Sequence, residues 1–356
     1  MKISSFEMIA LLLLSRIFTL MIYSPIFSFP TSVQLVGIAL STVLQGVLAL
    51  FLIVLMKKTG YKSFDEVLFK NKVAGCIFSA VYCLFFILSG AAVLSSFIIF
   101  ARDIFFPEQS FLAFALPIAA VCIYGAILGI KPLGRSAGLL FFIFLLMFAV
   151  TVLSSSERLS SVGAYGGEFT AKGVLLSAVY DMSRSLEFVM LPFIAVFSKN
   201  IRKDYFGFLA SRLVILETAV FLIGSVLKEY IDYTKFPFFT LGGAVGGFIR
   251  LDALYLVMWT FCAVVKISLI IFFSGDIAKR FLPRKNYRFI LSGIAVMLFS
   301  LCGVFMKNSE ISAIIYAVLS LILGGIVPII IYSREVRSYD KKTSSDNAGS
   351  FSADRV

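Results

Sequence analysis

The chain has 356 residues, of which 60% are hydrophobic and 15% charged, with a net charge of +12. A soluble domain carries about 25% charged residues, so a single soluble globule is excluded. The chain contains no histidine, which removes the commonest general base and metal ligand. Its basic excess is not gathered on a compact domain that would bind nucleic acid.

Ten apolar runs follow one another, at about 6–28, 32–56, 74–101, 111–130, 137–154, 173–197, 206–227, 252–275, 288–306 and 311–333. Each is long enough, at 1.5 Å per residue, to cross the ~30 Å hydrocarbon layer, some with tilt or local thinning. Runs such as IALSTVLQGVLALFLIVLM (38–56) do not alternate as barrel strands do. The fold class expected is therefore an all-α polytopic membrane protein with ten transmembrane helices. The first run follows one basic residue, Lys2, without an A-x-A cleavage pattern, and reads as a retained helix. The third is longer than a perpendicular crossing needs, so tilt is expected.

Cys76, Cys83, Cys122, Cys262 and Cys302 each lie in or beside an apolar run, with no CxxC pair. They read as buried small side chains, and neither metal nor cofactor is expected. In the long loop 228–250, GGAVGG has no preceding strand and no following GK[ST]. It reads as a turn or a short surface helix, not a phosphate loop. The polar, Ser-rich segment 338–356 reads as a disordered tail. One transmembrane domain over 1–337 remains, and no soluble domain.

Most of the 32 Lys and Arg fall on the side shared by the N-terminus and every second loop, as in KKTGYKSFDEVLFKNK (57–72), KNIRKD (199–204) and KRFLPRKNYR (279–288). The positive-inside rule then places both termini in the cytoplasm. Arg212 counts with this inner group, near the end of its span.

The first and sixth runs resemble each other. SRIFTLMIYSPIF (15–27) and SRSLEFVMLPFI (183–194) each carry Ser-Arg near the middle and Pro eight or nine residues later. Five runs apart, they enter from opposite faces, as expected of a five-plus-five inverted repeat (about 6–154 and 173–333) whose halves open with a discontinuous helix. Chance recurrence of a dipeptide and a proline is the competing explanation. Half-helix termini and unwound carbonyls would suit a small zwitterion between residues 17–20 and 181–187.

Charges inside spans are functional candidates, each needing a partner. They are Arg16, Asp181, Arg184, Glu187, Glu217 and Lys266. Three readings stay open: structural pairs that fix register, a proton relay through Glu187 or Glu217, and a built-in cation. In the last, the Lys266 ammonium takes the place of a sodium ion between the first and eighth helices. Its partner would be unwound carbonyls of the first helix or a carboxylate such as Glu187.

RLDALYLVMWTFCAVVKIS (250–268) resembles the characteristic segment of the spore germination protein B subunit family, GerAB-like, through Arg250, Asp252, Ala253, Leu254, Trp259, Lys266, Ile267 and Ser268. The opening KISSFEMIALLLLSR (2–16), the loop FPFFTLGGAVGGFIRLDAL (236–254) and the Glu187–Pro192 spacing resemble that family too. The resemblance implies the amino acid–polyamine–organocation superfamily and the LeuT-like form of the repeat. It also implies a place in the spore inner membrane, A and C receptor subunits as partners beside membrane lipid, and an amino-acid-like germinant. No enzymatic chemistry is implied. The alternatives are an amino-acid permease coupled to protons or sodium, and a structural B subunit with a closed pocket. The ligand-binding residues projected this way are Ile17, Phe18, Thr19, Leu20, Asp181, Ser183, Ser185, Trp259 and Cys262, to which depth in the membrane alone adds Phe86 and Gly90 of the third span; Arg16, Arg184, Glu187, Glu217 and Lys266 form the charge network. Phe18 departs from the family, which commonly has glycine near this point, and so does Ser185, where glycine is frequent.

Overall fold

The computed structural model describes residues 2–22, 29–70, 72–105, 107–156, 159, 166–245, 251–280, 287–307 and 313–338. Pro25, Arg250, the Asp252 side chain and 339–356 of the expected tail lie outside what is described. Helices dominate, and no strand occurs among the described residues. In order they are α1 (Ser5–Ile22), α2 (Thr31–Lys58), α3 (Phe64–Leu68), α4 (Lys72–Ile104), α5 (Phe111–Leu128), α6 (Ile130–Ser156), α7 (Ala171–Ser183), α8 (Leu186–Ile194), α9 (Ile201–Leu227), α10 (Pro237–Val245), α11 (Leu251–Ala278), α12 (Tyr287–Lys307) and α13 (Ala313–Leu321). A π-turn, Ile322–Ile326, carries α13 on into helical residues 327–338.

Seven helices among the described residues are long and apolar enough to cross a membrane: α2, α4, α5, α6, α9, α11 and α13 with its continuation. The sixth apolar run is the divided one, with α7 and α8 separated at Arg184 and Ser185. Local chemistry sets several helix starts. Ser63, Ser110, Thr170 and Asn200 each accept a hydrogen bond from the backbone N–H three residues on, capping α3, α5, α7 and α9. At the head of α1, Ser4 and Glu7 bond reciprocally, Ser4 N to Glu7 Oε2 at 2.9 Å and Glu7 N to Ser4 Oγ at 3.3 Å.

At the break, Arg184 has φ −99° and ψ 0°, and Ser185 has φ −89° and ψ 60°. The helix therefore stops at Ser183, and its last carbonyls must find other donors. Ser183 Oγ donates to Tyr180 O at 2.7 Å, and Ser185 Oγ to Asp181 O at 3.1 Å. At residues 17–20 the first helix differs from expectation, while a break farther along its run, at 23–28, lies outside the described residues. α1 is unbroken through residues 17–20; Thr19 Oγ1 donates to Arg16 O at 2.9 Å inside an intact turn. No unwound carbonyls exist there.

The packing order positions the break. α1 lies against α6, α9 and α11; α2 against α7 and α9; α4 against α11 and α12; α5 against α11 and α12; α13 against α7 and α8. Small residues allow the closest approaches, as in other membrane helices. A Cβ on Gly37 of α2 would stand 2.5 Å from Ser177 of α7. One on Gly324, in the π-turn, would stand 2.5 Å from the Phe188 ring of α8. That π-turn also leaves Leu323 O to accept from the Tyr82 hydroxyl.

The ends that the sequence groups together do converge. Ile3 N donates to Phe197 O at 2.9 Å, Glu335 pairs with Lys62 and Lys70, and Arg280 reaches Asp65 at 3.8 Å. At the opposite end Lys235 meets Asp103 at 2.9 Å. We call the first the inner end. There α3 drives Phe64 among Tyr82, Phe193 and Tyr332, with ring centroids 5.2–5.9 Å apart.

Candidate functional site

Two ionised centres lie beside the helix break. In the first, Asp181, in the last turn of α7, accepts Arg16 of α1 on Oδ1 and Arg212 of α9 on Oδ2. Arg212 Nη1 also donates to Gln45 Oε1 at 2.7 Å. Gln45 Nε2 in turn donates to Ser41 Oγ at 2.9 Å and Ser185 Oγ at 3.1 Å. In the second, Glu187, in the first turn of α8, accepts Lys266 Nζ of α11 at 3.0 Å and the Ser15 hydroxyl, both on Oε1. Lys266 Nζ donates further to Ser15 O at 2.8 Å and to Thr19 Oγ1 at 3.3 Å. The ammonium has three protons and three acceptors.

Every charged group here is buried, with Arg16 the most exposed at 4%. Removing one member of such a pair strands its partner at a cost of about 3–5 kcal/mol. Among the sequence alternatives for Lys266, the structure supplies both a carboxylate and a first-helix carbonyl, the latter from an intact helix. Some capacity stays unused: among the described residues Glu187 Oε2, Arg16 Nε and Nη1, and Arg212 Nε have no hydrogen-bond partner.

Next to these centres is a cavity with about 110 Å³ open to the centres of water-sized molecules. Thr19 and Lys266 form one wall, and Ser183, Arg184 and Leu186 of the break form another. α4 contributes Phe85, Ser89, Ala92, Val93, Ser95, Ser96 and Ile99, while α13 contributes Tyr316 and Ser320. Toward the outer end, a wider cleft is lined by Arg102, Asp103, Tyr230, Lys235 and Thr240. Ile99 belongs to the walls of both.

The structure brings together Thr19, Ser183, Arg184 and Lys266 of the projected residues, and separates others from the cavity. Ile17, Phe18 and Leu20 are buried in the core, with the Phe18 ring 6.5 Å from that of Phe97. Asp181 and Ser185 are absorbed by the polar centre. Phe86 and Gly90 were chosen by depth, and they point the wrong way. Phe86 packs on Phe193 and Phe273, and a Cβ on Gly90 would stand 2.4 Å from Leu298. The cavity-facing stripe of α4 is 85, 89, 92, 96 and 99, a helical period that depth alone cannot select. Trp259 stacks with Phe239 and meets Phe100 edge-on, their centroids 4.0 Å apart in the second pair, above the site. Cys262 is buried beside it, off the cavity wall.

Glu217 is not in the network. It is half-buried on α9 and forms no ion pair among the described residues. Arg212, in contrast, was assigned to the inner end yet is fully buried. α9 begins at Ile201, so Arg212 lies 11 residues, about 16 Å, along it. That depth, and the apolar flanks in SRLVILE, were the available signal. Gln45, Ser41, Ser89, Ser95, Ser96, Tyr316 and Ser320 were also missed; a search for polar side chains sharing one helical face would have raised the α4 serines.

The model of one protein family, described as spore germination protein, matches residues 2–311. No curated protein matches the chain.

Proposed function

The chain belongs to the spore germination protein family, and on that premise we propose that it is the germinant-sensing B subunit of a nutrient receptor in the spore inner membrane. A small amino-acid-like germinant would enter the cavity at the α7–α8 break. Occupancy would shift that break, and the change would pass to A and C subunits with no covalent chemistry. Both termini would face the cytoplasm, following the basic inner loops.

The observation that carries this reading is a cavity walled by hydroxyls and a cation at a helix break, bonded through Asp181 and Glu187 to α1, α9 and α11. A ligand there touches the hinge itself. A ligand shifts such an equilibrium only through contacts that differ between two states, and Arg184 and Leu186 are placed to provide them.

We also infer the LeuT-like five-plus-five inverted repeat. Some of the packing pairs support it, because exchanging α1 with α7–α8, α2 with α9, α4 with α11, α5 with α12 and α6 with α13 maps several close pairs onto close pairs. Thus α1–α6 answers to α7–α13, α2–α7 to α9–α1, and α4–α12 to α11–α5. In this frame the Lys266 ammonium fills the place of a coupling cation between the first and eighth spans.

Spores in which this chain is the sole B subunit would test the sensor reading. Ser89→Trp, which fills the cavity, should abolish the nutrient response at normal protein level; an unchanged response would refute it. A permease remains the second reading, favoured by Ile99 lining both the cavity and the outer cleft, so that the two spaces adjoin at one side chain. Saturable counterflow of labelled amino acids in proteoliposomes would decide for the permease, and its absence with retained binding for the sensor.

A further inference from the structure

We propose that the cavity is a carboxylate site, whose ligand class is the small monocarboxylates, and that an α-amino group on the ligand is dispensable. This deepens the reading above and rests on it. It departs from the zwitterion that the sequence suggested.

Charge is the first ground. Arg184 and Lys266 line the cavity, and no Asp or Glu is among its described lining residues. Two acids lie nearby, and both are committed. Asp181 holds two guanidiniums, and Glu187 holds Lys266 and Ser15 through Oε1. The free Oε2 of Glu187 lies off the cavity wall. Among the described residues Arg16, Arg212 and Lys266 form ion pairs with Asp181 and Glu187, three cations to two carboxylates, which leaves an excess of positive charge. In a buried site of low effective dielectric that excess favours an anion and disfavours a ligand ammonium.

Helix geometry is the second. α8 begins at Leu186, which lines the cavity, and its N-terminus carries partial positive charge from unsatisfied N–H groups. Ser185 stands at the cap position but does not cap; its hydroxyl is turned to Asp181 O. A carboxylate oxygen at this terminus would take the place of the missing cap.

An orphaned donor is the third and is independent of the others. Ser320, across the cavity on α13, is 1% exposed, and its Oγ has no hydrogen-bond partner among the described residues. A buried hydroxyl left unpaired costs free energy, and a ligand oxygen in the cavity would satisfy it. Ser89, buried on the α4 wall, offers a further hydroxyl.

The test is calorimetric titration of the full-length protein in lipid nanodiscs with alanine, lactate, propionate and alaninamide. Alanine and lactate should bind within about threefold of each other, and alaninamide at least about tenfold more weakly. Arg184→Gln should shrink the difference between alanine and alaninamide to within about threefold, with Arg184→Lys retaining part of it. Alaninamide binding as tightly as alanine, lactate failing where alanine binds, or no probe binding at all would each overturn the proposal. The first two results would leave the germinant pocket standing. Ser89→Trp with unaltered affinities and unaltered germination would instead remove the pocket reading itself.

Discussion

Two seams flank the broken helix, and they are built oppositely. Along α1 and α11, Lys266 joins Ser15, Thr19 and Glu187 and ties the helices together. Along α4 and the α7–α8 pair, the helices meet through Tyr82, Phe86 and Phe193 toward the inner end and part around the cavity. Under the inferred repeat these seams are symmetry counterparts. One is closed by a charge the protein carries itself; the other is lined with hydroxyls and left open to a ligand. A single helix break between a fixed wall and an adjustable one can report which small molecule fills the second.

Substitutions should separate the seams. The largest effect belongs to the closed one. Lys266→Met leaves Glu187 buried without its cation, and folded protein should fall by the equivalent of about 3–5 kcal/mol. Adding Glu187→Gln should restore much of that loss, read as melting temperature in detergent. A single variant as stable as wild type would dissolve the contrast. Asp181→Asn should cost nearly as much, because two guanidiniums lose one carboxylate.

At the open seam Arg184→Gln should leave the melting temperature within about 1 kcal/mol of wild type, since the residue is half-buried at a cavity edge. Stabilisation by alanine should weaken in the same variant, to about that given by alaninamide. Loss of fold would mean that the second wall is as structural as the first.

A smaller, pH-dependent effect is expected at the inner end. Burial and the neighbouring Asp276 push the Asp65 carboxyl up to about 6, against the pull of Arg280 and Lys279. Glu66 adds to the upward push. A raised carboxyl pKa gives stability that is full below about pH 4 and lost as pH rises through about 6. Asp65→Asn should therefore melt about 1–2 kcal/mol higher than wild type at pH 7 and show no such gain at pH 4. Glu217→Gln, outside both seams, should change stability by less than about 0.5 kcal/mol.

Much of this was legible in the sequence, for physical reasons that differ between residues. Apolar length places the helices, because hydrocarbon admits little else. The sixth helix shows its break through Ser-Arg and Pro192 within an apolar run. Lys266 and Glu187 announce themselves because a lone buried charge demands a partner. Depth along a helix is read less well when its start is misjudged, which hid Arg212. Facing is read worst of all. Phe86 and Gly90 lie at the right depth, but α4 is apolar nearly all round, and only the spacing of its few serines distinguishes the side that meets the cavity from the side that meets α11 and α12. The first helix fails differently: a Ser-Arg pair alike in both halves does not oblige α1 to unwind where α7 does.

The contrast between seams is tested most directly by thiol accessibility with the five native cysteines replaced. Cysteine would be introduced at Ser89 and Ser320, on the open wall, and at Ser268, fully buried on α11. A small methanethiosulfonate should modify the first two, with lactate or alanine protecting both, and should leave the third untouched. If Ser89→Cys and Ser320→Cys stay unmodified, or react equally with and without ligand, the open seam is not a binding site and the account fails.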